Sequence, residues 1–421
     1  MARCLYVTLD GITDHIGQAQ VAPYLVGLAR LGHSIHIVSA EKPGRDALQA
    51  RYRRLFDEVG IRWTRVPYRN RPPLIASYFT MRALWHAVLR VARTERPDIL
   101  HCRSYLPLGF GAKLKKRVPV RFLADFRDFW ADVGIETKRF KFVFRHYLRR
   151  EPEIMAAADH VVTLTERAVR KLIARHPHVV GGRRENYTVI PCCADFAEFD
   201  TSRVPQAALQ ARREQLGIPA GATVLLYLGS LGPDYLLPEM MDLFIELRAL
   251  RPDAVFLLLA NNGRELVERA ARERGVPDSA IRFVSVPRDE VPEHMALAAA
   301  SVVFIRPTDS KAGCSPTKLG ELLAANVPVI ANTNVGDFDH VLSLERNGSV
   351  VVPDFQPSTL RRALETILAM SDERRRAIRG ASGEFDLDEG VRRYDGIYRR
   401  LAGGTAHDPG ETAPEAPSLV A

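Results

Sequence analysis

The chain has 421 residues, of which 46% are hydrophobic and 26% are charged. This balance excludes an intrinsically disordered or fibrous protein, and the length suits two domains that each bury a core. Residues 1–200 contain 34 Lys and Arg against 20 Asp and Glu, a net charge of +14, whereas the rest of the chain carries −5, so we expect the first half either to face an anionic partner or to carry a solvated basic surface.

The cysteines and the N-terminal sequence indicate the cellular compartment in which the protein is expected. The five cysteines show neither CxxC nor Cys/His ligand spacing, which argues against a disulfide framework and against a zinc site. The opening MARCLYVTLDG lacks the hydrophobic region and cleavage site of a signal peptide, and no run approaches 18 apolar residues. We therefore expect a cytoplasmic protein without a transmembrane helix.

The first half alternates apolar runs with helical patterns. A strand at Cys4–Leu9, a helix at Gln18–Leu31 and a strand at Ser34–Ser39 make a βαβ unit, which implies a parallel sheet. Further strands are predicted at Asp98–His101, Val120–Ala124, His160–Leu164 and Thr188–Ile190. The pattern is that of a doubly wound α/β domain over residues 1–200.

A polar stretch, Asp200–Ala211, is interpreted as the domain linker, after which the alternation restarts over residues 201–385. The strands predicted there are Thr223–Leu228, Ala254–Ala260, Ile281–Val284, Ser301–Ile305 and Val329–Ala331, with helices at Leu237–Leu250, Arg264–Arg274 and Lys318–Ala325. A basic helix within 386–402 is expected to cross back to the first domain. The tail, 403–421, is rich in Gly, Pro and Ala and is expected to be disordered.

The most informative segment is GCSPTKLGELLAANVPVI, residues 313–330. Ser315 before Pro316 suits an N-cap followed by the first helical residue, so the helix start presents free N–H groups and its positive dipole end. Thr317 adds a hydroxyl and Lys318 a point charge, which together favour a diphosphate. Glu321, one turn on, offers a carboxylate to both hydroxyls of a ribose. A capped surface helix with solvated charges is the alternative.

This segment resembles the nucleotide-sugar-binding segment of the large family-four retaining glycosyltransferases. TVLLYLGSL at 223–231, VIPCCAD at 189–195 and RPDILHCRS at 96–104 resemble further family segments in the expected order. The resemblance implies a GT-B fold, with two facing Rossmann-like doubly wound parallel-sheet domains and an interdomain cleft. It also implies a nucleotide-sugar donor in the second domain and an acceptor in the first, and a Glu, here Glu321, on the donor ribose.

The sequence departs from the family pattern at two places on the donor side. The family's E-x7-E pair, whose first Glu commonly contacts the donor sugar, would need a Glu where this chain has Gly313, so the contacts to the donor sugar are expected to differ from those of the family. The basic residues that usually follow the YLG strand are missing, and the chain continues instead from Gly229 and Ser230 into a Leu-Gly-Pro-Asp-Tyr sequence. We therefore expect Lys318, with Arg306 as a second cation, to hold the diphosphate, and we expect no metal or cofactor.

LADFRDFW places Asp125 and Arg127 at the end of a predicted strand. The two residues have the same parity and share a face. Asp125 is a candidate to take or orient the acceptor proton, and Arg127 to bind an anionic group or the departing phosphate. A sub-branch of the resembled family uses such a D-x-R arrangement. A structural Asp–Arg ion pair is the alternative.

The loop before the first helix contains His15 and Gly17, a candidate contact to the acceptor or a phosphate. An exposed loop histidine is the plainer interpretation of His15. Gly17 is one of two glycines in this loop, which favours movement on ligand binding.

KRFKFVFRHYLRR, residues 138–150, interleaves aromatic and basic residues. At helical spacing Phe140, Phe144, Tyr147 and Leu148 form one apolar stripe with basic flanks, which is typical of a helix lying on an anionic membrane. A core-facing helix with a solvated basic side fits equally well. Nucleic acid is not an expected partner, because no recognised motif accompanies the charge.

Three functions remain open at this point. The first is a metal-independent glycosyltransferase that moves a sugar from a nucleotide donor to a hydroxyl of a glycan, a lipid-linked acceptor or a small molecule, at the inner face of the membrane and in the synthesis of cell-surface glycans. The second is a catalytically weak relative that binds a partner. The third is a nucleotide-sugar epimerase, which would need no acceptor.

Overall fold

The computed structural model describes residues 1–69, 71–138, 140–179 and 183–403. These residues form two compact units. The first unit contains Met1–Pro191, the short segment Ala312–Ser315 and the C-terminal helix. The second contains Cys192–Lys311 and Pro316–Asp386. Each unit has its own sheet and its own hydrophobic core.

The first unit has seven parallel strands among its described residues, in the order β3-β2-β1-β4-β5-β6-β7. Their bounds are β1 Arg3–Thr8, β2 Ser34–Glu41, β3 Arg62–Pro67, β4 Ile99–Arg103, β5 Arg121–Phe126, β6 His160–Thr163 and β7 Tyr187–Val189. Strands β1, β4 and β5 are almost wholly buried, as expected for a parallel sheet covered on both faces. The order reverses between β1 and β4, and in such sheets ligands bind beyond the carboxyl ends of the strands at this point.

The helices of the first unit cover both faces of the sheet. They are α1 His15–Gln20, α2 Ala22–Arg30, α3 Asp46–Glu58, α4 Pro73–Glu95, α5 Tyr105–Lys115, α6 Trp130–Thr137, α7 Lys141–Leu148, α8 Glu151–Ala157 and α9 Glu166–Arg175. The single helix predicted over Gln18–Leu31 is broken at Val21, because Pro23 in the next turn has no N–H to continue the hydrogen-bond ladder.

The second unit repeats this plan. Its described part has six parallel strands in the order β10-β9-β8-β11-β12-β13, with the reversal between β8 and β11. The strands are β8 Val224–Leu228, β9 Val255–Leu259, β10 Ile281–Val284, β11 Ala300–Val303, β12 Val329–Asn332 and β13 Val350–Val352. The helices are α10 Gln206–Gln215, α11 Leu237–Leu250, α12 Arg264–Glu273, α13 Val291–Met295, α14 Thr317–Ala324, α15 Phe338–Val341, α16 Leu344–Asn347, α17 Pro357–Leu368 and α18 Asp372–Arg376.

The last helix, α19 (Leu387–Leu401), belongs to the first unit, where it packs along α2. At Gly27 of α2 a methyl group would lie 2.7 Å from the Val391 side chain, so the glycine allows the two helices to approach closely. Asp395 of α19 also pairs with the buried His33 at 2.7 Å. The tail expected to be disordered lies, from residue 404, outside the described residues.

The domain boundary predicted from the sequence differs from the boundary between the two structural units. The units divide between Pro191 and Cys192 and not at residue 200, because Phe196 and Phe199 are buried in the second unit and Ala194 hydrogen-bonds to the Phe385 carbonyl there. The stretch interpreted as a linker instead contains α10. In the part of the chain that the structure describes, no helix is both long and apolar enough to cross a bilayer.

Candidate functional site

The start of α14 lies in the connection between β11 and β12 of the second unit, beside the reversal of strand order. Pro316 is at the N-cap and Thr317 is the first helical residue, so the helix begins one residue before the predicted Lys318–Ala325 span and one residue after the start that a Ser315 cap would give. Ser315 is therefore not the cap, and it is grouped with the first unit. Pro316 has no side-chain hydrogen-bond acceptor, so its side chain does not cap the first-turn N–H groups. The positive end of the helix dipole at this position suits an anion.

Lys318 is buried and its ammonium lies between two aromatic rings. Nζ is 4.3 Å from the ring centre of Tyr227 and 4.1 Å from that of Tyr235, and it donates a hydrogen bond of 3.1 Å to the Tyr227 hydroxyl. Cation–π contacts of this kind position a cation without neutralising its charge. The arrangement fixes the Lys318 amino group at the second residue of α14.

Gly229 leaves room for this lysine. It follows β8 with φ of +108°, in the region that favours glycine, and a methyl group there would lie 3.1 Å from Lys318 Nζ. Ser230, the next residue, is exposed, and its carbonyl accepts a 2.7 Å hydrogen bond from Tyr227. The structure thus brings Gly229, Ser230 and Lys318 together around one tyrosine.

Glu321 lies one turn beyond Lys318 on α14, and its side chain is largely buried. Its nearest cation is Arg288, with Nη1 3.6 Å from Oε1. Arg288 is held in turn by two hydrogen bonds to Glu198, of 2.6 and 2.9 Å. Burial raises the pKa of Glu321, and the neighbouring Glu198 acts in the same direction, while Arg288 and Lys318 oppose the shift.

The remaining candidates for contact with the donor are Thr317 and Arg306. Thr317 is half-buried at the start of α14. Arg306 is exposed just after β11, and its Nε contacts the Pro233 carbonyl at 3.4 Å. The structure therefore does not place Arg306 against Lys318, and it shows Arg306 oriented by the loop between β8 and α11.

In the first unit, Asp125 at the end of β5 is completely buried. Its carboxylate faces Arg127 Nη1 at 3.4 Å and Arg103 Nη1 at 3.5 Å. It also accepts a 3.1 Å hydrogen bond from the Tyr394 hydroxyl of α19. His101 Nε2 is 3.4 Å away. The predicted Asp125–Arg127 pair is formed, inside a larger buried network.

The electrostatics of this network favour the structural ion pair over a general base. Burial acts to raise the pKa of Asp125, but the charges of Arg127 and Arg103 and the His101 hydrogen bond together hold it well below its usual range. A carboxylate so strongly stabilised in its charged form is a weak proton acceptor near neutral pH. Tyr394 stays protonated and donates, because burial and the Asp125 charge raise its pKa.

His15 and Gly17, predicted to lie in a loop before the first helix, belong instead to α1, and the turn before that helix is organised by Glu41 at the end of β2. The buried Glu41 carboxylate accepts hydrogen bonds from the N–H of Ile12 at 2.7 Å and from the Thr13 hydroxyl at 2.8 Å. His15 is exposed at the first position of α1. A methyl group on Gly17 would lie 2.0 Å from the Gly11 carbonyl, so close packing, and not movement, explains this glycine.

Gly313, where the resembled family has a Glu, is buried within the first unit. A Cβ at this position would lie 3.2 Å from the Phe129 ring. A glutamate would therefore press on a fully buried aromatic residue, which gives the departure from the E-x7-E pattern a packing reason.

In segment 138–150, of which Arg139 lies outside the described residues, Lys138 has an extended backbone and α7 begins at Lys141. The predicted apolar stripe is only partly correct, because Phe144, Tyr147 and Leu148 turn inward. Phe144 packs on Trp130 with ring centres 4.7 Å apart. Phe140 and the neighbouring Phe142 are the exposed aromatic residues.

Several residues around these sites were not singled out from the sequence. On the donor side they are Tyr227, Tyr235, Arg288 and Glu198, and around Asp125 they are His101, Arg103, Tyr394 and Tyr398. Tyr394 and Tyr398 lie one helical turn apart, and this spacing in the sequence indicates that the two tyrosines share one face of the helix. Arg288 and Glu198 are distant in sequence, so no such spacing relates them.

Two doubly wound parallel-sheet units, with a helix start that suits a phosphate beside the strand-order reversal of the second unit, are the features of the GT-B class of glycosyltransferases. Residues 17–193 match the glycosyl transferase 4-like domain, and residues 210–383 match the glycosyl transferases group 1 domain. The chain belongs to the glycosyltransferase family that combines these two domains, as the resemblance in the sequence predicts. The predicted enzyme class and the predicted pair of Rossmann-like parallel-sheet domains are confirmed.

Known proteins agree with this assignment. D-inositol 3-phosphate glycosyltransferase of Kineococcus radiotolerans is 28% identical over 247 residues, which cover 55% of this chain and 53% of that protein, so the match spans about half of the relative. A glycosyltransferase from Rickettsia africae superposes with a TM-score of 0.69 at 15% identity, covering 96% of this chain and 99% of its own. Anabaena HepE, solved with UDP and glucose, gives 0.67 at 16%, covering 96% and 100%.

Proposed function

We propose that the second unit holds a nucleotide-sugar donor at α14 and that the enzyme transfers the sugar to an acceptor hydroxyl engaged by the first unit. The observation that carries this proposal is the pairing of Lys318, fixed between two tyrosines, with Glu321 one turn further on. The lysine and the helix start suit a diphosphate, and the carboxylate suits the ribose hydroxyls.

The chemistry follows from this placement. As the bond between the anomeric carbon and the diphosphate oxygen breaks, negative charge grows on the leaving group. The acceptor oxygen bonds to the anomeric carbon, and its proton passes to the departing diphosphate oxygen. Lys318 and the α14 dipole stabilise that charge. We propose that they do so without a metal ion and that the reaction retains the anomeric configuration, as in the resembled family.

The donor and acceptor classes are proposed from the relatives and from charge. UDP-sugars are the first donors to test, because HepE was solved with UDP and glucose. The net charge of +14 in residues 1–200 supports an anionic acceptor, and the Kineococcus relative is named for an inositol phosphate. A phosphate-bearing or lipid-linked acceptor in cell-surface glycan or glycoconjugate synthesis fits both.

We also propose that segment 138–150 contacts an anionic membrane at its inner face. The exposed Phe140 and Phe142, with Lys138, Lys141 and Arg145 around them, support this contact in place of the stripe predicted from helical spacing.

The transfer is tested by incubating the chain with labelled nucleotide sugars and a panel of phosphorylated and lipid-linked acceptors. We expect labelled product only when an acceptor is present, and the same rate with a chelator. Conversion of donor without acceptor would instead identify an epimerase. Tight nucleotide binding without turnover across acceptors would identify a binding subunit.

Replacing Lys318 should weaken diphosphate binding far more than nucleoside binding. For Lys318→Ala we expect UDP affinity to fall by about 1.5–3 kcal/mol, the value of a charged hydrogen bond, while uridine affinity changes little. Isothermal titration of both ligands measures the difference. Arg361→Ala, which removes an exposed cation paired with Glu246 in the same unit, is the control and should leave both affinities unchanged. Equal losses for UDP and uridine would contradict the role of Lys318.

A further inference from the structure

Helix α4 of the first unit carries an apolar surface at its start that no predicted function uses. Ile75, Tyr78 and Phe79 are 58%, 62% and 48% exposed. Their spacing of three and four residues places them on one face of the helix, and the Tyr78 and Phe79 rings lie 5.7 Å apart. We name these three residues the α4 patch.

The length of α4 explains why the patch is not covered. The helix has 23 residues, about 34 Å, whereas the adjacent β3 has six, about 20 Å. The core contacts of α4 are concentrated in its second half, at Leu84, Val88 and Val91. The first turns bury Ala76 and Thr80 and leave the α4 patch exposed.

The charge around the α4 patch is of one sign. Residues 62–94 contain seven arginines and no Asp or Glu. Arg71 and Arg82 are exposed on either side of the patch, and the exposed face continues through His86 to Arg90. An apolar tip flanked by cations complements a surface that offers both anionic headgroups and an apolar interior.

We propose that the α4 patch inserts into an anionic lipid bilayer. Three apolar side chains are too few for the centre of a stable protein interface, which buries about 800 Å² on each partner. A bilayer needs no such contiguous area, because each side chain is buried separately and each nearby Arg adds to the attraction. The α4 patch belongs to a different helix from segment 138–150, which has its own exposed pair, Phe140 and Phe142, with ring centres 6.2 Å apart.

Sedimentation of the full chain with vesicles tests the proposal. Vesicles of phosphatidylcholine and phosphatidylglycerol in equal parts should bind the protein, and pure phosphatidylcholine should bind it much less. The triple variant Ile75→Ser, Tyr78→Ser, Phe79→Ser should bind the anionic vesicles about tenfold more weakly or worse, because burial of each side chain is lost. High salt should also weaken wild-type binding.

The control variant is Leu266→Ser with Leu344→Ser, which removes two exposed apolar residues of the second unit and should bind as the wild type does. Urea unfolding midpoints check that both variants are folded. Wild-type protein that ignores anionic vesicles, or a triple variant that binds them as well as wild type, would overturn the proposal. Loss of single-stranded nucleic acid binding in the triple variant, with vesicle binding intact, would overturn it too. The vesicle experiment contains no nucleotide, so a negative result in it does not contradict the proposed transfer reaction.

Discussion

Asp125→Asn should destabilise the protein by about 3–5 kcal/mol, the usual cost of removing one partner from a buried ion pair. The reason is the charge left behind, since Arg103 and Arg127 would share a buried site without their carboxylate. The Tyr394 hydroxyl would also lose its charged acceptor, which loosens the contact between β5 and α19. Urea unfolding followed by circular dichroism measures the change.

The same group gives a pH dependence with a definite sign. The pKa of Asp125 is lower in the folded protein than in the unfolded chain, so its contribution is fully present above the unfolded value, about 3.9, and is lost as the pH falls below it. Asp125→Asn should therefore reduce the loss of stability on acidification below that value.

A matched control uses an exposed pair. Glu153→Gln removes a carboxylate that pairs with Lys116 at 3.0 Å on the surface of the same unit, and it should cost less than about 1 kcal/mol. If Asp125→Asn unfolds at the wild-type urea concentration but no longer transfers sugar, then the residue is a base and the structural role is wrong.

Glu321→Ala should weaken nucleotide binding by about 2–5 kcal/mol, roughly thirtyfold or more in Kd. The carboxylate is largely buried, so water cannot replace it as acceptor for the ribose hydroxyls, and Arg288 would lose one of its two anionic neighbours. Calorimetric titration with UDP and with a UDP-sugar measures the loss. Glu246→Ala removes a carboxylate of α11 that pairs with Arg361, and it should leave the affinity unchanged.

The raised pKa of Glu321 adds a second test. Because burial raises it above the ordinary value of 4.5, protonation begins at a higher pH than for an exposed glutamate. The protonated group has lost one acceptor, so UDP affinity should fall on mild acidification in the wild type and fall less in Glu321→Ala. Parallel pH profiles for the two proteins would assign the titration to another group.

The sequence was sufficient for the fold where strands were apolar. Buried strands such as β1, β8 and β9 were predicted to within a residue or two, because a parallel sheet covered on both faces requires continuous apolar runs. The edge strand β3 was missed, since four of its six residues are polar or proline and its side chains are mostly accessible. The three-residue edge strand β13 was also missed.

The site was predictable only as far as local sequence determines it. The order Lys318–Glu321 on one helix follows from spacing, and the structure has both on α14. The rings that hold Lys318 and the arginine beside Glu321 come from other connections of the sheet, so no local pattern could give them. For Asp125 the local pair with Arg127 was predicted and is present. The fold adds Arg103 and Tyr394 to this pair, and these contacts favour a structural ion pair over proton transfer.

Hydrogen–deuterium exchange with and without UDP tests most directly whether the second unit holds the donor at α14. We expect saturating UDP to slow amide exchange in the first turn of α14, from Thr317, and at Gly229 and Ser230 after β8. Unchanged exchange at both segments, under conditions where calorimetry shows UDP bound, would contradict the assignment of the donor site.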